Sequence, residues 1–218
     1  WSWKIGRNSK KLEDTASGYK NALILPCDVT SAESVEKTFS HALVEFGHLD
    51  TLFNNAGIGS FSTTIDEIAT ETWLNIVSTN LTGSFFCARA AFKIMRNQTP
   101  QGGRIINNGS ISAHVPRPGS APYTSAKHGI TGLTKSILLD GREFNICASQ
   151  IDIGNALTEM AQEIKTGMLQ PDGQVRAEET MDAGHVASTV LHIADLPLEA
   201  NIPFITLMAS KMPFIGRG

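Results

Sequence analysis

Short apolar runs alternate with longer amphipathic segments along the chain, and this alternation constrains the fold more than any other feature. Asn21-Ala-Leu-Ile-Leu-Pro26 reads as a strand. Ser31 to Phe46 reads as a helix, with Ser31 as N-cap, Ser34-Val-Glu in its first turn and Gly47 closing it. Leu49 to Phe53 is a strand, Asp66 to Arg96 a helix broken near Asn80, and Gly103 to Asn108 a strand. Tyr123 to Asp140 is a helix with small residues on one face, Phe144 to Ile151 a strand, Ala183 to Ala194 a helix and Ile202 to Met208 a last strand. Strands alternating with helices of this length give parallel β/α layers. A closed (β/α)₈ barrel needs about 250 residues and more elements than these. The expectation is a single α/β domain over 1–218: a doubly wound parallel sheet in three layers, α/β/α. Asn155 to Asp182 is too long for a simple connection, and is expected either to cover a site as a lid or to run over the surface.

Composition excludes several classes. The 218 residues carry 18 Lys+Arg against 21 Asp+Glu, a net charge of −3, with no electrostatic footprint for nucleic acid or an anionic membrane. No run approaches the ~18 consecutive apolar residues of a spanning helix, and no basic-then-apolar leader opens the chain; a soluble, cytoplasmic protein is expected. Cys27, Cys87 and Cys147 stand sixty residues apart with no CxxC, which argues against a disulfide scaffold or a zinc ribbon. The six histidines show no paired spacing, so no metal site is expected. Sequons at Asn80, Asn97 and Asn108 are discounted because two lie in segments assigned to the active site.

Ligands of an open α/β sheet sit beyond the carboxyl ends of its strands, so the residues following each strand are informative. They are Cys27-Asp28-Val29, then Asn54-Asn55-Ala56-Gly57, then Gly109-Ser110-Ile111-Ser112. Thirteen residues past Ser110 stands Tyr123, and Lys127 follows one helical turn later on the same face. An ammonium within ~4–6 Å favours a phenolate, whose unperturbed pKa is about 10, and so suits a tyrosine to general acid–base work. Other readings stay open: Asp28 also suits a turn before the Ser31 helix, Asn80 a helix break, and Ser112 competes with Ser110. Gly57-Ile-Gly59 lacks a third glycine and opens a loop, so it is not read as a phosphate site.

Asn54-Asn-Ala-Gly57, Asn80-Leu-Thr-Gly83, Ser110, Tyr123 and Lys127 at these spacings resemble the short-chain dehydrogenase/reductase family. The resemblance implies a Rossmann-like fold and catalytic roles for four residues. Tyr123 would be the acid/base, Ser110 the hydroxyl that bonds the carbonyl oxygen, Lys127 the cation that also holds the nicotinamide ribose, and Asn80 the anchor of a relay water. It further implies cofactor contacts from Asp28 and Val29 at the adenine and from Asn55, Ala56 and Gly57 beside the adenosine ribose. Ile153-Gly154-Asn-Ala-Leu-Thr158 resembles the family's Pro-Gly-x-x-x-Thr segment, with Ile153 in place of proline; this implies cofactor contacts from Gly154 and Thr158, with Thr158 facing the carboxamide.

The family's Thr-Gly-x-x-x-Gly-x-Gly phosphate turn is absent, and Trp1 to Gly6 reads as the tail of the family's second strand. Loss of a central strand would strand buried backbone groups at about 1–3 kcal/mol each, so the first βα unit is expected to be missing from the sequence. At the end of that second strand Gly6-Arg7-Asn8-Ser9-Lys10-Lys11 offers no acid and a basic cluster, with Arg7 foremost, which favours NADP(H) over NAD(H). The expected activity is an NADP(H)-dependent oxidoreductase (EC 1.1.1) interconverting a carbonyl and a secondary alcohol, either a 3-oxoacyl reductase type or a general short-chain alcohol dehydrogenase. The alternatives are a non-catalytic scaffold and a sugar-nucleotide epimerase, which shares Tyr-x-x-x-Lys but carries a larger C-terminal region. His114, Pro116, Arg117 and Pro118 lie where family members contact substrate; Arg117 would meet an acidic group or stand exposed. A homodimer or homotetramer follows from resemblance alone, and Lys211 to Gly218 departs from the family's glycine-rich ending.

Overall fold

The computed structural model describes residues 2–59, 63–158 and 167–215. The chain runs β1 (Ser2–Gly6), α1 (Ser9–Ala16), β2 (Ala22–Pro26), α2 (Ala32–Phe46), β3 (Thr51–Asn54), α3 (Thr70–Val77), α4 (Gly83–Asn97), β4 (Gly103–Asn108), α5 (Ala121–Asp140) and β5 (Ile146–Gly154). Four short strands follow: β6 (Ala156–Leu157), β7 (Met168–Leu169), β8 (Val175–Arg176) and β9 (Met181–Asp182); then come α6 (Ala183–Asp195) and β10 (Phe204–Met208). The long strands pair in parallel, in the orders β1–β2 and β10–β5–β4–β3. Among the described residues β1 and β3 do not pair. Both blocks nonetheless share a core, since Trp3 and Ile5 of β1 pack into the cluster that holds Leu52 of β3.

Side chains alternate across a strand, and the three layers follow. Leu52, Ile105 and Ala148 face α2, α4 and α5, packing on Phe39, Ala91, Met95 and Ile137. Phe53, Ile106 and Ile151 face the opposite way, onto Val186, Val190 and Ile193 of α6. The Ser31 cap forms as expected, its hydroxyl accepting the Ser34 N–H at 3.2 Å, and Gly47 closes α2 at φ 69°.

Three expectations change. The third helix begins at Thr70 rather than Asp66, and there is no break at Asn80: Ser78–Thr82 is a π-helical turn that carries α3 straight into α4. Strand β5 runs on to Gly154, three residues past the expected Ile151, so Asp152 lies on a strand. The described part of 155–182, expected as one long connection, holds two strand pairs, β6 with β9 and β7 with β8; residues 159–166 lie outside the described residues.

Candidate active site

The carboxyl ends of β3, β4 and β5 open into a cavity of about 1070 Å³. Asn55, Gly57, Asn108, Ser110, Tyr123, Lys127 and Thr158 line it, with Val186 and Val190 of α6 on the far wall. Ser110 reaches it on the extended turn after β4, and Tyr123 and Lys127 from the first turns of α5, whose start Pro122 pre-forms. The Ser110 hydroxyl hydrogen-bonds Tyr123 and accepts the Ser112 N–H at 3.1 Å. Ser110, then, is the serine turned to the phenol, and Ser112 orients it through its backbone. Lys127 is 5 % exposed; its Nζ donates to the Asn108 carbonyl at 2.7 Å and stands 5.5 Å from the centre of the Tyr123 ring.

The electrostatics differ from the sequence expectation. Tyr123 is held above its ordinary pKa, not below it, because desolvation of the hydroxyl outweighs the Ser110 hydrogen bond and the Arg117 charge. Burial also brings the Lys127 ammonium down to about 8, against the opposing pull of the Asp152 carboxylate.

Other expected residues stand apart from the cavity. Asn80 is 1 % exposed and clamps the loop after β3, accepting the Ile58 N–H and donating to the Ile58 carbonyl, each at 2.8 Å. Asp28 turns the chain: its carboxylate accepts the Thr30 N–H at 3.0 Å and the Thr30 hydroxyl at 2.8 Å, bonds that lower its pKa, with the Arg7 charge a smaller cause. Val29 is buried against Gly83, where a Cβ would approach Val29 Cγ2 to 2.9 Å. Gly154 is a packing glycine, since a Cβ there would meet Met212 Sδ at 2.7 Å. Arg7 and Ala56 are exposed and do not line the cavity.

Arg117 corrects its expectation outright. It lines the cavity but does not stand exposed, and the acid it meets is the protein's own: both terminal nitrogens meet the Glu178 carboxylate at 2.7 Å in a pair whose side chains are 7 % and 2 % exposed. Asn155 Nδ2 and Gln170 Nε2 also donate to Glu178, at 2.8 and 2.9 Å. Burial pushes the Glu178 carboxyl up, but these hydrogen bonds and the arginine charge prevail and bring it to about 2. The network ties the 168–182 segment to the turn between Ser110 and Tyr123. No motif spacing in the sequence signals that tie.

The donors suit the nicotinamide-ribose half of a dinucleotide: an ammonium and a phenol for ribose hydroxyls, and Thr158 for a carboxamide. For the phosphates, the sequence contains no Gly-x-x-x-Gly-x-Gly turn.

A parallel sheet with a Ser–Tyr–Lys cluster at its strand ends defines a class, and comparison with known proteins gives the family: residues 3–169 match the short chain dehydrogenase model, and the chain belongs to that family. Among curated relatives, a 3beta-hydroxysteroid dehydrogenase of Mediterraneibacter gnavus is 32% identical over 76% of this chain and 62% of its own length. A 3-oxoacyl-[acyl-carrier-protein] reductase of Synechocystis sp. is 32% identical over 66% of the chain and 57% of its own length. The chain thus spans about three fifths of these two relatives, 62% and 57%. Among solved structures, an actinorhodin polyketide ketoreductase variant with NADPH superposes at a TM-score of 0.84, with 24% identity over 94% of this chain and 85% of that one. Serine dehydrogenase from Escherichia coli superposes at 0.77, with 21% identity over 94% and 84%. No described helix is long and apolar enough to cross a membrane, and no metal-binding cluster occurs among the described residues.

Proposed function

We propose that the protein is an oxidoreductase interconverting a carbonyl and a secondary alcohol, with Tyr123 as acid/base and NADP(H) as cofactor. The observation that carries this reading is the Ser110–Tyr123 hydrogen bond, with Lys127 one turn away, at the mouth of a cavity beyond the strand ends. The nicotinamide, when bound, supplies or accepts the hydride. In the reducing direction the substrate oxygen accepts hydrogen bonds from Ser110 and Tyr123, and the phenolic proton passes to it as charge develops. Such preorganised donors contribute about 2.7–4 kcal/mol each. The buried Lys127 ammonium then stabilises the phenolate left behind. Lys127 Nζ, 5.5 Å from the centre of the Tyr123 ring, is near enough for its charge to ease loss of the phenolic proton. Asn80 fixes the loop of Asn55, Ala56 and Gly57 beside the ribose, and Thr158 serves the carboxamide.

The phosphate-side roles rest on less. Arg7 follows directly on the carboxyl end of β1, the place from which the family reads a 2′-phosphate, with Lys10 and Lys11 a turn away. This supports NADP(H) over NAD(H). Asp28 and Val29 serve the adenine through the turn they build.

The relatives' names support carbonyl and hydroxyl substrates of the hydroxysteroid and 3-oxoacyl kind. A cytoplasmic homodimer or homotetramer, with 155–182 as the substrate-side cover, completes the proposal.

Fluorescence titration with NADPH and NADH, followed by turnover of a ketone panel, tests the reading. Saturable binding with NADPH preferred, and turnover abolished in Tyr123→Phe while binding persists, is the expected result. Absence of saturable binding would favour a non-catalytic scaffold, and unchanged turnover in the variant would remove Tyr123 from its role.

A further inference from the structure

Strand β5 reads Ile146-Cys-Ala-Ser-Gln-Ile-Asp-Ile-Gly154. A carboxylate near the end of a buried parallel strand needs partners, because an unpaired buried charge is costly. Asp152 is 1 % exposed and has three. Its Oδ1 accepts the Ser110 backbone N–H at 3.0 Å and Gln150 Nε2 at 2.7 Å, and its Oδ2 lies 2.8 Å from His114 Nε2. The first of these begins where the β4–β5 ladder ends. Gly109 still donates to the Ile151 carbonyl at 2.9 Å, but the next N–H, that of Ser110, goes to the Asp152 side chain. Gly109 makes the contact possible, since a Cβ there would land on Asp152 Oδ1 and crowd Gln150. The His114 side chain is 44% exposed, so the pair runs from solvent to the backbone that carries Ser110.

Resting on the oxidoreductase reading above, we propose that Asp152, with His114 as its outer partner, is a positioning residue for the reaction: it fixes the backbone that aims the Ser110 hydroxyl. Among the described residues the titratable groups tied to it are His114 and Lys127. His114 comes from the turn after β4 and Lys127 from α5, while Arg117 acts on Tyr123. Strand β10 brings Thr206 beside Asp152, and α5 brings Thr131 through Gln150, both uncharged.

Asp152→Asn keeps the shape and removes the charge. It lowers kcat for ketone reduction roughly 10- to 100-fold, as a small misplacement of a reacting group does, and leaves NADPH affinity intact. Its second effect is one that a merely structural residue would not produce. The alkaline limb of kcat, set by loss of the Lys127 proton, moves to lower pH, because the ammonium has lost its supporting anion. His114→Gln, made at a half-exposed ring, gives a smaller loss of kcat.

A folded Asp152→Asn with wild-type kcat, or with reduced kcat and an unmoved alkaline limb, overturns the proposal. Should that variant fail to fold, His114→Gln decides, and wild-type kcat there overturns it. Tyr123→Phe run alongside separates the failures. An active Tyr123→Phe defeats the oxidoreductase reading itself, whereas an inactive one beside an unaffected Asp152→Asn defeats only the role of Asp152.

Discussion

Glu178→Gln removes one charge from a buried pair without changing its size, and the structure fixes what that should cost. Glu178 and Arg117 are 2 % and 7 % exposed and joined by two 2.7 Å bonds, so the substitution leaves the guanidinium buried beside an amide. Breaking such a pair from one side costs about 3–5 kcal/mol. The displacement of the carboxyl from 4.5 to about 2 converts to roughly 3 kcal/mol at neutral pH, so the two routes agree. For a domain of this size that lowers Tm by roughly 6–12 °C. The pH dependence has a definite sign. A carboxyl held below its open-chain value contributes fully above about pH 4.5 and loses the contribution as pH falls toward 2. The gap between wild type and variant, measured by urea denaturation, should therefore narrow by roughly 2 kcal/mol between pH 7 and pH 3. A gap below about 1 kcal/mol at neutral pH, or one of equal size at both, would mean that the pair is solvated and does not fasten the segment.

Four further outcomes follow. Lys127→Met should lower kcat for reduction by roughly 10²- to 10⁴-fold and raise the KM for NADPH, checked by steady-state kinetics; unchanged constants would exclude the lysine from the site. Wild-type kcat should decline as pH rises through about 8, where Lys127 loses its proton, and a flat profile from pH 7 to 9.5, taken across that value, would contradict the assignment. Cys87, buried and pushed up to about 12, should resist iodoacetamide at pH 8 until urea is added, as peptide mass spectrometry can establish. Ile106→Ala, at a fully buried position between β4 and α6, should cost about 2–5 kcal/mol with an unchanged m-value; a cost under 1 kcal/mol, typical of surface positions, would show that this face of the sheet is loosely packed.

The elements were largely legible because their signals are local. Ser31 caps the helix it precedes, Gly47 ends it, and Leu52/Phe53 and Ile105/Ile106 alternate as strands packed on both faces must. Ser110, Tyr123 and Lys127 could be placed at one cavity because their spacing lies within one strand–turn–helix stretch. The misses are tertiary. The π turn at Asn80 reads as a break because wide helical turns carry no residue signature. The raised Tyr123 pKa depends on burial, which a Tyr-x-x-x-Lys spacing does not encode. Arg117 and Glu178 lie sixty-one residues apart, and only the fold brings them together. Asp152 did leave a trace, a lone carboxylate in the apolar run Ile151-Asp-Ile153, where a charged residue is nearly always paired.

Isotope tracing bears most directly on the whole account. Ketones are incubated with the protein and NADPH carrying two deuteriums at nicotinamide C4, and the alcohols are analysed by mass spectrometry. The account predicts one deuterium at the carbinol carbon with wild type and no labelled alcohol with Tyr123→Phe. Alcohol formed without label, or label transferred equally well by the variant, would contradict it.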